Sequence, residues 1–127
     1  MSIDLYCFLC YNDFGKNIIP NLLNNGEKLY SYKFDGYWKD VGTIQSLWEA
    51  NMDLLGDDPV FNLFDTDWKI YSNNRIRAPH YVGNDAKIDN SIITEGCEIH
   101  GVVENSVLFG GVKVARGAYV RNAIIMN

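Results

Sequence analysis

The sequence predicts a mainly β protein in which a small α+β part comes first and a wound coil of short strands follows. Three observations predict it. From Val82 to Ile125 single aliphatic residues recur at steps of five and six with one of four, where a helix requires three and four and a strand two. Two short phrases recur through the same stretch: glycine–small–x–aliphatic, and asparagine–small–aliphatic–aliphatic. Ahead of it, Ile44, Leu47, Trp48, Asn51 and Leu55 follow one clear helical stripe.

The elements follow in order. Leu5 to Tyr11 is an apolar, aromatic run that suits a strand or a first helical turn, and it holds Cys7 and Cys10. A zinc site needs four ligands, and the remaining candidates Cys97, His80 and His100 lie far along the chain without partner spacing, so two buried or incidental cysteines are expected in place of a metal or redox pair. Asp13 to Gly26 predicts a short helix, with Ile18, Ile19, Leu22 and Leu23 at helical spacing, Pro20 in its first turn and Gly26 at its end. Lys28 to Phe34 alternates as a half-buried strand does, with Tyr30, Tyr32 and Phe34 on one face. Asp35-Gly36 then makes the corner of a hairpin.

In the returning run Trp38 and Asp40 share one face, while Tyr37 and Lys39 share the other. Gly42 turns the chain, Thr43 caps the helix over Ile44–Leu55, and Gly56-Asp57-Asp58-Pro59 stops it. Phe61 to Ser72 reads as a connection whose anchors Phe61, Phe64, Trp68 and Tyr71 pack on that helix. A ring and a carboxylate side by side before a helix start can floor a ligand site; on spacing alone Asp40 caps the helix equally well.

In the second half the aliphatics are Val82, Ile88, Ile93, Ile99, Val103, Leu108, Val114, Val120 and Ile125. One such residue per short strand, three strands per coil, fills a triangular core, with Ala86, Cys97 and Ala118 at the corners. This pattern resembles the hexapeptide-repeat, left-handed parallel β-helix. The expected division is 1–58, 59–77 as a linker, and 78–127 as about two and a half coils whose last edge is open to another copy or to further residues.

Composition narrows the partners. A net charge of −5 argues against a nucleic-acid surface, and no run reaches membrane-span length or forms a leader, so no nucleic acid and no membrane are expected. Three cysteines, an odd number, fit a reducing cytoplasm.

Tyr37-Trp38-Lys39-Asp40-Val41-Gly42-Thr43 resembles the Y-W-x-D-V-G-T motif of sugar-nucleotide pyrophosphorylases, most closely the bacterial glucose-1-phosphate adenylyltransferases (ADP-glucose pyrophosphorylases). Asp13-Phe14-Gly15-Lys16 before it, and Asn62-Leu63-Phe64-Asp65 and Trp68-Lys69-Ile70 after it, match the same family in the same order. The resemblance implies a remnant of the nucleotidyltransferase α/β domain followed by the β-helix, in other words the C-terminal portion of the enzyme. It implies ATP and glucose 1-phosphate as substrates and Mg2+ as cofactor, with Asp40 as a catalytic metal ligand. Asp13 and Phe14 then line the glucose pocket, and Trp38 neighbours the sugar phosphate. It also implies a homo-oligomer with effector-binding and assembly surface on the β-helix.

No glycine-rich G-G-x-G-x-R-L stretch, first metal aspartate or F-x-E-K-P lysine occurs, so this chain alone is expected not to turn over ATP. Without the family, Asp13 serves as a helix cap and Trp38 as core. A stand-alone hexapeptide-repeat acyltransferase using His100 or His80 as base, or a non-catalytic oligomerisation module, are the other classes the repeat admits.

Overall fold

The computed structural model describes residues 13–71, 73 and 75–126; the Leu5–Tyr11 run with Cys7 and Cys10 lies outside them. The chain forms two compact units that part between Gly36 and Tyr37.

In the first unit a π-helical turn, Phe14–Ile18, runs into helix α1, Ile19–Asn24. The turn is wide because the Asp13 carbonyl accepts from both Asn17 N (2.9 Å) and Ile18 N (3.1 Å). Pro20 sits in the first turn of α1, and Gly26, at φ +73°, ends the segment as the pattern predicts. The strand predicted over Lys28–Phe34 and its hairpin do not form: residues 27–35 carry no ladder, and Tyr30 and Tyr32 are almost fully exposed. A lone two-stranded hairpin is marginal in water, and no third strand pairs with it among the described residues.

The second unit opens on an extended segment, Tyr37–Gly42, and helix α2, Ile44–Met52. Thr43 caps α2 as expected, in a capping box: its Oγ1 accepts from Ser46 N (3.1 Å) and Ser46 Oγ accepts from Thr43 N (3.0 Å). The helix ends at Met52, short of the predicted Leu55, because the N–H groups of Leu54 and Leu55 turn back three residues onto Asn51 and Met52. Of the predicted linker anchors, Phe61 packs on the Tyr37 ring (5.5 Å), while Phe64, Trp68 and Tyr71 stay exposed. No helix among the described residues is long and apolar enough to cross a membrane.

Nine short strands then wind three to a coil: β1 Tyr81–Val82, β2 Lys87–Asp89 and β3 Ile92–Ile93. The second coil is β4 Glu98–Ile99, β5 Val102–Glu104 and β6 Val107–Leu108, and the third is β7 Lys113–Val114, β8 Tyr119–Arg121 and β9 Ile124–Ile125. They form three parallel sheets, β1-β4-β7, β2-β5-β8 and β3-β6-β9, the faces of a left-handed β-helix. Each predicted aliphatic occupies its own strand, in three vertical stacks: Val82–Ile99–Val114, Ile88–Val103–Val120 and Ile93–Leu108–Ile125. Ile99, Val103 and Leu108 of the middle coil are fully buried, each contributing about 1.5–3 kcal/mol of apolar burial. Cys97 is buried among them, and Ala86 and Ala118 pack at the corners.

Three complete coils form, more than the two and a half expected, because the corners are short. Tyr81 stacks on Glu98, 17 residues on, but Lys87 on Val102, only 15 on. Two residues join β4 to β5 where four join β1 to β2 and β7 to β8.

The corner after each middle strand is the repeated asparagine phrase. Asn90, Asn105 and Asn122 are the described non-glycine residues with positive φ (38°, 46° and 50°), the left-handed conformation that asparagine tolerates best among side-chain-bearing residues. Their amides stack into a ladder, Asn90 Nδ2 donating to Asn105 Oδ1 (2.9 Å) and Asn105 Nδ2 to Asn122 Oδ1 (2.7 Å). Helix α2 leans on this corner. Trp48 Nε1 donates to the Asn122 carbonyl (3.0 Å), and Met52 Sδ lies 3.9 Å from Asn105 Nδ2.

Candidate functional site

The extended segment before α2 alternates as its sequence predicts. Tyr37 and Lys39 are half-buried and turn toward the helix, whereas Trp38 and Asp40 face solvent. Behind the segment, Tyr37 Oη donates to Asp53 Oδ2 (3.0 Å) and Lys39 Nζ donates to the same oxygen (2.9 Å). Lys39 Nζ also lies 3.5 Å from Glu49 Oε2, one turn up α2. The Lys39 hydrogen bond holds the Asp53 carboxyl below the usual carboxylate range, and the bond to Tyr37 adds to that. The same contact with Asp53 raises the Lys39 ammonium above its ordinary value, despite some desolvation. Burial, then the hydrogen bond to Asp53, raises the Tyr37 hydroxyl.

The outward face therefore carries one aromatic ring and one carboxylate on a backbone fixed from behind. Trp38 is 76% exposed, so in this chain it presents a ring to solvent and does not fill the core. Asp40 does not cap α2; Thr43 and Ser46 do that, and Asp40 is left with its carboxylate near Gly42, where an added Cβ would sit 3.5 Å from Oδ1. In the other unit, Asp13 caps the π-turn, its Oδ1 accepting from Lys16 N (2.7 Å), and Phe14 beside it is 71% exposed. The structure thus brings Trp38 and Asp40 together on one face, and Asp13 and Phe14 together at one turn.

Asp40 offers hard oxygen ligands of the kind magnesium takes. It offers them alone: among the described residues no three His, Cys, Asp or Glu side chains group to hold a metal. These residues do not make a complete magnesium site, and no chemical step within this chain runs through one.

The sequence reading misses the tethers behind the segment. Their signal is nonetheless present, since Tyr37 and Lys39 fall opposite Trp38 and Asp40, and α2 carries acidic Glu49 and Asp53 near its end with no basic residue of its own there. It also misses a second concavity: a cleft of about 840 Å3 beside the β-helix, lined by Arg75, Arg77, His80, Glu95 and Phe109 among others. Arg77 lies across Gly96 and Gly111, where an added Cβ would come within 3.1 Å of its Cβ and 2.6 Å of its Nη1 respectively. His100 stands elsewhere, its ring tilted against that of Tyr81 at 5.7 Å.

Two family models match. Residues 10–57 match the nucleotidyl transferase family and residues 76–127 the GlmU-like, C-terminal hexapeptide family. The chain is 61% identical over 115 residues to a glucose-1-phosphate adenylyltransferase of Clostridium perfringens (strain SM101 / Type A), covering 91% of this chain and 30% of that protein. It is 56% identical over 113 residues to the enzyme of that name from Clostridium botulinum (strain Eklund 17B / Type B), covering 89% and 29%. For the one from Bacillus thuringiensis (strain Al Hakam) the figures are 55% over 115 residues, 91% and 31%. The chain thus spans about 30% of the length of these relatives. With both halves matched in order, it belongs to the glucose-1-phosphate adenylyltransferase family, as a C-terminal portion of it.

Proposed function

We propose that this chain supplies one wall of the active site, and the β-helix, of an enzyme that makes ADP-glucose and pyrophosphate from ATP and glucose 1-phosphate for glycogen synthesis. In that reaction a phosphate oxygen of the sugar phosphate attacks the α-phosphorus of ATP. The new P–O bond forms as the bond to the β-phosphate bridge breaks and pyrophosphate leaves. Such transfer asks the protein chiefly for positioning and charge neutralisation.

The observation that carries the reading is the outward pairing of Trp38 and Asp40 on a segment tied down by Tyr37 and Lys39. In the full-length enzyme Asp40 would be one of the carboxylates that hold Mg2+, and the ion would supply neutralisation of phosphate charge. Trp38 offers its ring beside the sugar phosphate. Phe14 lines the glucose pocket, and Asp13, with Oδ1 engaged as a cap, turns its other oxygen to a sugar hydroxyl. Residues 1–58 belong to the catalytic lobe, 59–77 link it, and 78–127 form the β-helix, which carries homo-oligomer contacts and regulatory surface. The setting is the cytoplasm.

By itself the chain has one metal carboxylate and no glycine-rich phosphate clamp, so it is inactive alone. Isothermal titration with ATP·Mg should show no saturation in the micromolar range; micromolar binding overturns the inactivity. In a full-length adenylyltransferase carrying this segment, Asp40→Asn should lower kcat by about 10²–10³, a loss of several kcal/mol of charge stabilisation. An unchanged kcat removes Asp40 from the site.

A further inference from the structure

Asp53 is placed against local preference. It is the C-cap residue of α2, where the helix dipole is negative and a carboxylate is disfavoured, and the last turn of α2 holds no basic residue. Such a conflict between local and global preference marks a side chain placed for another purpose. Its partners show the purpose. A single oxygen, Oδ2, receives both the Tyr37 hydroxyl and the Lys39 ammonium, the two residues that alternate with Trp38 and Asp40. Glu49 Oε2 stands 3.5 Å from the same ammonium, and Phe61 closes on the Tyr37 ring at 5.5 Å. The described backbone from Tyr37 to Val41 forms no ladder, so these side chains are what hold its facing. The neighbouring face of α2, about 100° round the helix, is grounded on the asparagine corner of the β-helix through Trp48 and Met52.

We propose that Asp53 is a positioning residue for Asp40: through Tyr37 and Lys39 it fixes the facing of the Trp38–Asp40 segment, and through α2 it references that facing to the β-helix. The inference rests on the reading of Asp40 as a ligand-bearing carboxylate. It goes further by locating the support of that carboxylate at the end of a helix 13 residues along the chain.

The test uses the 127-residue chain and ¹⁵N relaxation. In the unaltered chain, residues 38–41 should show order parameters near the rigid-backbone value of about 0.85. In Asp53→Ala, a change that spares the helix an unfavourable charge, they should fall below about 0.6 while the β4–β6 amides keep theirs. Lys39→Met should reproduce the fall in part, and Asp53→Glu should restore order. Unchanged order at residues 38–41 in both Asp53→Ala and Lys39→Met overturns the proposal. Titration of the unaltered chain with Mn2+ reports separately on Asp40. Broadening of the amides of residues 40–42 ahead of other carboxylate neighbourhoods supports Asp40 as a metal ligand. Broadening that spares those amides refutes that reading, and the order parameters still decide whether Asp53 holds the segment.

Discussion

Gly101 marks the tightest place in the β-helix, and alanine there should be costly. It lies in the two-residue corner between β4 and β5, stacked against the four-residue corner of the next coil. A Cβ at Gly101 would stand 2.4 Å from the Ala118 carbonyl oxygen, 2.6 Å from that of Ala115 and 3.0 Å from Val114 Cγ1. Neither oxygen can step aside cheaply. Ala118 O accepts the Val102 N–H (2.9 Å) and Ala115 O the Ala118 N–H (3.1 Å), so relief on one side breaks a bond on the other. Overpacking of this kind costs about 1–3 kcal/mol, the rigid neighbours place it at the upper end, and the stiffer unfolded chain returns about 0.4–1. The net loss is about 2 kcal/mol. Gly83→Ala is the control. Its Cβ would press chiefly on His100 Nδ1 at 2.7 Å, part of a half-buried ring that can turn, so its net effect should stay within about 0.5 kcal/mol. With a urea slope of about 1.5 kcal/mol/M, Gly101→Ala moves the unfolding midpoint down by about 1.3 M and Gly83→Ala hardly at all. Equal midpoints for the two variants would refute the claim that the short corner is closed by backbone.

Asn105→Ala removes both rungs of the asparagine ladder and places alanine in the left-handed region; it should cost about 2–3 kcal/mol in thermal melting, and a loss within about 0.5 kcal/mol would show the ladder to be decoration. Trp48→Phe keeps an aromatic ring but leaves the Asn122 carbonyl without its indole donor; it should lower the stability of α2 against the β-helix by about 1 kcal/mol, read from hydrogen exchange in α2. The tie behind Asp40 should also depend on pH. Asp53 is depressed by Lys39, so its contribution is complete above the ordinary carboxylate value and is lost as pH falls through its lowered one. Lys39 is raised by Asp53, so its contribution holds below an ordinary 10.5 and is lost only as pH climbs past its raised value. Order at residues 38–41 should therefore be flat from about pH 5 to 9, declining in acid below the carboxylate range and again in base above the ordinary lysine range; a transition near pH 7 would refute the assignment.

The β-helix is legible in the sequence because one aliphatic per strand is a code with no competing period. All nine predicted positions fall one to a strand and stack in register, and even the short corner shows as the four-residue step from Ile99 to Val103. The number of coils is less legible, because a uniform six-residue repeat averages over corner length, while the turns at Asn90, Asn105 and Asn122 use only two residues each. Asparagine can make so tight a corner because it accepts positive φ and its amide bonds to the asparagine of the next coil. The phrase is visible in sequence; the left-handed turn and the ladder it encodes are not.

The first unit and the segment around Asp40 show why local pattern runs out sooner there. Alternation puts Tyr30, Tyr32 and Phe34 on one face, yet alternation only states which residues would be buried if a partner sheet existed, and the described chain supplies none. At Tyr37–Asp40 the same alternation succeeds because a partner does exist, the acidic end of α2. The two stretches carry the same kind of pattern and differ in what lies behind them. That difference is electrostatic and long-range in sequence: Lys39 finds Asp53 and Glu49, while Lys28 and Lys33 have no ion pair with any described residue. A strand pattern therefore becomes a positioned site only where a second element neutralises its inner face. On this chain, among the described residues, that condition is met once before the β-helix, on the segment that turns Asp40 outward.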